Sequence, residues 1–139
     1  MFYLEEFDTI RNKKIKKEIE DSFKSFMARY FDKGPRYAKV YIVDDCITIY
    51  CKDFLTVLEK GLSKGDFGNY YVKLVREKVS RNYSSLMVKM IYDITGSKVK
   101  NFYLDCDAID NSLCCAFILE EEIEASWWKL NIWQIEGNN

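Results

Sequence analysis

An abrupt change of hydrophobic period between residues 31 and 39 constrains this chain more than any other feature. Upstream, Ile15, Ile19, Phe23, Phe26, Met27 and Tyr30 recur at steps of three and four, which predicts one face of a helix from about Phe7 to Phe31. Gly34-Pro35 is its expected stop, because glycine just past a helix can take the left-handed C′ conformation and proline cannot continue the helix. Downstream, Lys39 to Lys52 alternates. Val40 and Ile42 precede Asp44-Asp45, and Ile47, Ile49 and Cys51 follow, the pattern of a β-hairpin with a tight turn. A chain that switches so sharply from helical to strand spacing must pack a helix against a sheet.

The rest of the sequence repeats these two themes. Thr56 followed by Glu59 is a capping box that opens a short helix ending near Gly65. A longer helix is expected from about Phe67 to Thr95, with Tyr71, Val75, Val79, Leu86, Met90 and Ile94 as its apolar face and Gly96 as its C′ residue. Val99 to Asp105 and Ser112 to Leu119 flank the turn-rich stretch Asp107 to Asn111, which reads as a second hairpin. In the tail, Ile123, Trp127, Leu130 and Trp133 fit a helical face, whereas Trp128, Leu130 and Ile132 fit a strand. The glutamate-rich start of the tail favours helix. The order αββααββ(α) predicts an α+β fold, a four-stranded antiparallel sheet from two hairpins with helices packed on one face. Residues 1–120 form one domain in this reading, and 121–139 a tryptophan-rich extension that packs on the domain or on a partner subunit. Trp127, Trp128 and Trp133 are its candidate interface residues. Tyr41, Tyr50 and Tyr103 line part of the sheet's second face, to be covered by that tail or by a second subunit.

Composition narrows function mainly by exclusion. With 139 residues there is room for one ordinary domain, and 21 basic against 22 acidic residues argue against a strongly basic nucleic-acid surface. The run Arg11 to Lys17 has acids one turn away and reads as a solvated helix face. There is no histidine, which removes Ser-His-Asp and Cys-His catalysis, histidine metal sites and the usual neutral-pH base. Cysteines 46, 51, 106, 114 and 115 have no zinc-like spacing and read as small apolar fillers in a reducing compartment. The acidic N-terminus does not resemble a signal peptide, and the longest apolar run, Leu113 to Leu119, is too short to span a bilayer. The expectation is a cytoplasmic, non-enzymatic protein without cofactor or direct membrane insertion.

Taken together, Gly34-Pro35, the Asp44-Asp45 hairpin, Leu55-Thr56-x-x-Glu59, Val75-Arg76, Ile94-Thr95-Gly96 and Phe117-Ile118-Leu119 resemble the MpsC-type domain family of bacteria. The resemblance covers about residues 14 to 120, with Val57 where the family often has proline, and it leaves out the tryptophan-rich tail. It implies a link to a sodium-translocating, membrane-potential-generating system whose other members resemble inorganic-carbon transport components. Most of these motifs are helix caps, stops and turns, and so describe architecture. Arg76 is the exception. It borders the apolar face of the long helix and must either pair with a carboxylate, Glu59 being the nearest by motif, or receive an anion such as bicarbonate or phosphate together with Arg36. Two functions follow as expectations: a dimeric accessory module that docks on membrane transport machinery, or a small-ligand or anion sensor using Arg76, Arg36 and Glu59.

Overall fold

The computed structural model describes residues 2–123, and side chains from Ile10 onward. Its elements are α1 (Phe2–Phe31), β1 (Tyr37–Val43), β2 (Cys46–Lys52), α2 (Val57–Leu62), α3 (Gly68–Asn82), α4 (Ser84–Thr95), β3 (Val99–Asp107) and β4 (Ser112–Leu119). The two hairpins join through their second strands to form one antiparallel sheet in the order β1-β2-β4-β3. The expected α+β class holds, and the element order matches except that three helices, not two, lie between the hairpins.

Strand alternation separates the sheet's faces. Ala38, Val40, Ile47, Ile49, Cys51, Leu113, Cys115, Phe117 and Leu119 are buried beneath the helices. Their neighbours stand on the opposite face, where Tyr41 and Tyr103 are exposed and Thr48, Tyr50, Ala116 and Ile118 half-buried. Helix α1 lies over β1, while α3 and α4 lie over β3. Ile15, Ile19, Phe23, Phe26 and Met27 enter the core as their spacing requires. Arg11 continues the same line and is also buried, so the Arg11 to Lys17 run is not one uniform solvated face.

Two expectations are corrected. The stretch from Phe67 to Thr95 is two helices, broken at Tyr83 with φ −103 and ψ 7. Asn82, Tyr83, Ser84 and Ser85 are poor helix formers, and the break places the Tyr83 ring 4.6 Å from Tyr30, among Phe26 and Phe31. The core-facing line is also shifted by one residue. Val72, Arg76 and Ser80 are buried on α3, and Met87, Ile91 and Thr95 on α4, whereas Tyr71, Val75 and Leu86 are exposed. An arginine and a serine on the inner line hide it from a hydrophobic pattern.

The second correction concerns the end of α1. The left-handed residue there is Asp32 (φ 64), not Gly34. Aspartate tolerates this region better than most side chains. Gly34 serves a close approach instead, since a Cβ there would lie 3.0 Å from the Lys24 carbonyl oxygen. Gly96 does take the expected left-handed conformation (φ 77).

Gly68 shows how tightly the α2–α3 corner is built, because a Cβ there would lie 2.3 Å from the Ser63 carbonyl oxygen. Gly61, inside α2, has open space around it. Gly68→Ala is therefore expected to lower unfolding free energy by about 1–3 kcal/mol through overpacking. Gly61→Ala should raise it by about 0.5–1 kcal/mol through helix propensity. Urea denaturation of the two variants checks both signs.

Candidate functional site

A helix of six residues such as α2 has little stability of its own, so its position must be imposed from outside. The capping box does part of this. Thr56 Oγ1 accepts from the Glu59 backbone N–H at 3.2 Å, and Glu59 Oε1 accepts from the Thr56 backbone N–H at 2.9 Å. The same carboxylate then reaches α3. Arg76 Nε donates to Glu59 Oε2 and Arg76 Nη2 to Glu59 Oε1, a bidentate charge-assisted pair. Arg76 Nη2 also donates to the Phe54 carbonyl at 3.2 Å. The guanidinium carbon lies 4.3 Å from the Phe31 ring centroid and 4.9 Å from that of Phe54, so the cation is enclosed by α1, the β2–α2 connection and α2. Arg76 is 1% exposed, the largest fully buried side chain in the domain. Its Nη1 is buried without a hydrogen-bond partner.

The connection leading into α2 is fixed with similar care. Asn111 Oδ1 accepts from the backbone N–H groups of both Phe54 and Leu55, each at 3.0 Å, and Asn111 Nδ2 donates to Asp53 Oδ1 at 3.2 Å. Lys33 Nζ donates to the same Asp53 oxygen and to the Leu55 carbonyl, tying in the end of α1. Asp53 and Asn111 both sit at positive φ, a conformation that short polar side chains tolerate. Neither residue stands out in the sequence beyond being a turn former.

Of the residues singled out from sequence, Arg76 and Glu59 are thus brought together as a pair. Arg36 is not. It is exposed, and its backbone N–H is the group that meets Asp53. Trp127, Trp128 and Trp133 lie outside the described residues. Cys51, Cys106 and Cys115 are buried, and burial pushes the Cys51 thiol up to about 12 and the Cys106 thiol to about 11. Burial also raises Cys115 well above the ordinary thiol range, so these thiols stay protonated at neutral pH. A cavity of about 680 Å³ opens between α3, the start of α4 and β3, lined by Ser80, Arg81, Ser84, Tyr103 and Cys114 among others, but not by Arg76.

Several strongly exposed apolar side chains lie on α2 and at the start of α3, where sequence reasoning placed nothing. Val57 is 87% exposed, Leu58 83% and Phe67 76%, and Leu62 of the same short helix is exposed too, whereas the exposed Tyr70 and Leu74 border a groove with Leu104 and Asp105 of β3. Phe67 also holds a left-handed backbone conformation (φ 61), strained for a bulky residue. The available signal was indirect. With Glu59 committed inward by its capping box, Val57 and Leu58 on so short a helix had to point out.

These features define a histidine-free α+β domain organised around an arginine-locked helix corner. No helix among the described residues is long and apolar enough to cross a membrane, and no group of three or more His, Cys, Asp or Glu among them could hold a metal ion. The chain belongs to the MpsC family, whose sequence model, described as Na+-translocating membrane potential-generating system (MpsC), matches residues 11–121. No curated protein and no solved structure matched this chain.

The pair predicts an acid sensitivity. Burial alone would raise the Glu59 carboxyl. Arg76 and Thr56 together outweigh burial and hold it below its ordinary 4.5. Its contribution is therefore fully present above about pH 4.5 and is lost as pH falls through the lower folded-state value. Glu59→Gln should cost about 3–5 kcal/mol at neutral pH by leaving the Arg76 charge without its counter-ion. Its stability should also fall less steeply than the native protein's in acid. Chemical denaturation across pH 3 to 7 reads both effects, and parallel curves would remove Glu59 from the acid response.

Proposed function

We propose that this protein is a non-enzymatic docking domain that works as a homodimer in the cytoplasm and attaches to a component of a sodium-translocating membrane system. The observation that carries the reading is the exposure of Val57, Leu58 and Leu62 on α2, which the Glu59–Arg76 pair holds in place, together with that of Phe67 at the start of α3. A cluster of this kind on an isolated domain marks an interaction site. Its support is rigid, since α2 is fixed at its cap and at its carboxylate, so little ordering cost is left for binding. The strained Phe67 fits the same role. A bulky aromatic kept at a left-handed position costs stability that its exposed ring does not recover within the monomer. The family description supplies the membrane system, and inorganic-carbon transport is the companion process the sequence resemblance implies.

Phe67→Asn separates docking from folding, because asparagine tolerates the left-handed region and removes the ring. The variant should be as stable as the native chain or up to about 1 kcal/mol more stable. In cells whose own copy is deleted, the native chain should restore co-sedimentation with membranes and the sodium-dependent part of the membrane potential. Phe67→Asn and Leu58→Asp should restore neither. Full restoration by both variants would reject the surface.

A second reading, a small-anion sensor, is supported by the cavity beside Ser80, Arg81 and Ser84, in which an anion would have to draw Arg81 from its pair with Glu77 beside a second carboxylate, Asp105. Its mark would be a rise in melting temperature with bicarbonate or phosphate that Arg81→Met abolishes.

A further inference from the structure

We infer that two copies of this chain join through the outer edge of β1, forming one continuous eight-stranded antiparallel sheet across a two-fold axis. The inference rests on the homodimer reading above and names its surface. It starts from the inequality of the two sheet edges. Strand β3 is guarded. A register break falls between Val99 and Asn101, Lys100, Asp105 and Asp107 place charges along it, and α3 runs beside it with Lys73 reaching Asp105 at 3.4 Å. Strand β1 has α1 over it but neither the register break nor the run of charges. Its seven residues, Tyr-Ala-Lys-Val-Tyr-Ile-Val, pair with β2 without a break and contain no proline, no bulge and one charge. Among the described residues nothing pairs with its outer side.

Hydrogen-bond parity shows which backbone groups that edge presents. The Leu119 N–H donates to the Asp45 carbonyl and the Asp53 N–H to the Asn111 carbonyl, both in the register of the β2–β4 ladder. Odd-numbered residues of β2 therefore bond to β4, and its even-numbered residues to Tyr37, Lys39, Tyr41 and Val43 of β1. Ala38, Val40 and Ile42 are left with N–H and C=O groups turned outward. That set is self-complementary. With Val40 on the two-fold axis, Val40 faces itself and Ala38 faces the partner's Ile42, so each outward group meets an outward group.

The side chains agree with this register and account for a second copy as the occupant. Ala38, Val40 and Ile42 continue the helix-covered face into their counterparts. On the other face, Tyr37 meets the partner's Val43, and Lys39 meets the partner's Tyr41. The single charge of the edge thus falls opposite an aromatic ring instead of a second lysine. Within one chain Lys39 Nζ already lies 5.2 Å from the Tyr41 ring centroid, so that ring is placed to receive the ammonium. Because β1 and β3 are opposite edges, the two apolar α2–α3 corners would lie at the far ends of the dimer, both free to dock.

Tyr41 provides the test, since it is 44% exposed and can change without disturbing the core. Tyr41→Lys sets lysine against Lys39 twice across the axis and should weaken the dimer by about tenfold or more. Tyr41→Glu makes two opposite-charge pairs at the same places and should keep it. Light scattering over a dilution series of the full chain reads the mass. Amide exchange should show Ala38, Val40 and Ile42 protected in the native dimer and released in Tyr41→Lys, with β2 and β4 still protected. A native chain that is monomeric throughout would overturn both the dimer and this interface. A dimer indifferent to Tyr41→Lys, with the β1 amides exchanging freely, would overturn this interface and leave the dimer standing.

Discussion

The ion pair between Glu59 and Arg76 brings together parts of the chain that are distant in sequence. It fastens a six-residue helix to α3, and the guanidinium rests against rings from α1 and from the β2–α2 connection. A buried charge without a partner would cost several kcal/mol, so each neighbour is committed to the others' positions. The capping box takes part as well, because Glu59 Oε1 serves the Thr56 N–H and Arg76 at once. Local helix initiation and tertiary packing here share one carboxylate.

That arrangement explains why so apolar a helix can face outward. Val57, Leu58 and Leu62 would normally draw α2 into the core, yet the only side chain of α2 buried is Glu59. Leaving the buried guanidinium unpaired would cost about 3–5 kcal/mol, comparable to the burial of two aliphatic side chains at about 1.5–3 kcal/mol each. The outward surface is thus a consequence of the lock. The two sheet edges show a related division of labour. The edge beside the corner carries a register break and charges, and the far edge, beneath α1, is regular.

Much of the fold was legible because its signals are local. The period change around Gly34-Pro35, the Asp44-Asp45 turn, the Thr56–Glu59 cap and Gly96 each act within a few residues, and each lies where its chemistry requires. The misplaced features are those in which a distant partner decides. Arg76 and Ser80 face inward, which a hydrophobic pattern reads as outward, so the inner line of α3 was set one residue away. The break at Tyr83 follows from an aromatic cluster contributed by α1. The Asn111 contacts with Phe54 and Leu55 join residues 57 and 56 positions apart and leave no trace in local spacing.

The sequence by itself determined the class of fold, the number and pairing of hairpins, the absence of histidine chemistry and the candidacy of Arg76 and Glu59 as partners. Those follow from periodicity, from turn and cap residues, and from which side chains exist at all. Only the tertiary structure decided that Arg76 lies at the centre of the core, that Arg36 stands apart from it, and that α2 presents its aliphatic side to solvent. The physical reason is that burying a charge is a long-range decision. Its cost is set by every element that surrounds it, and no window of neighbouring residues contains them all.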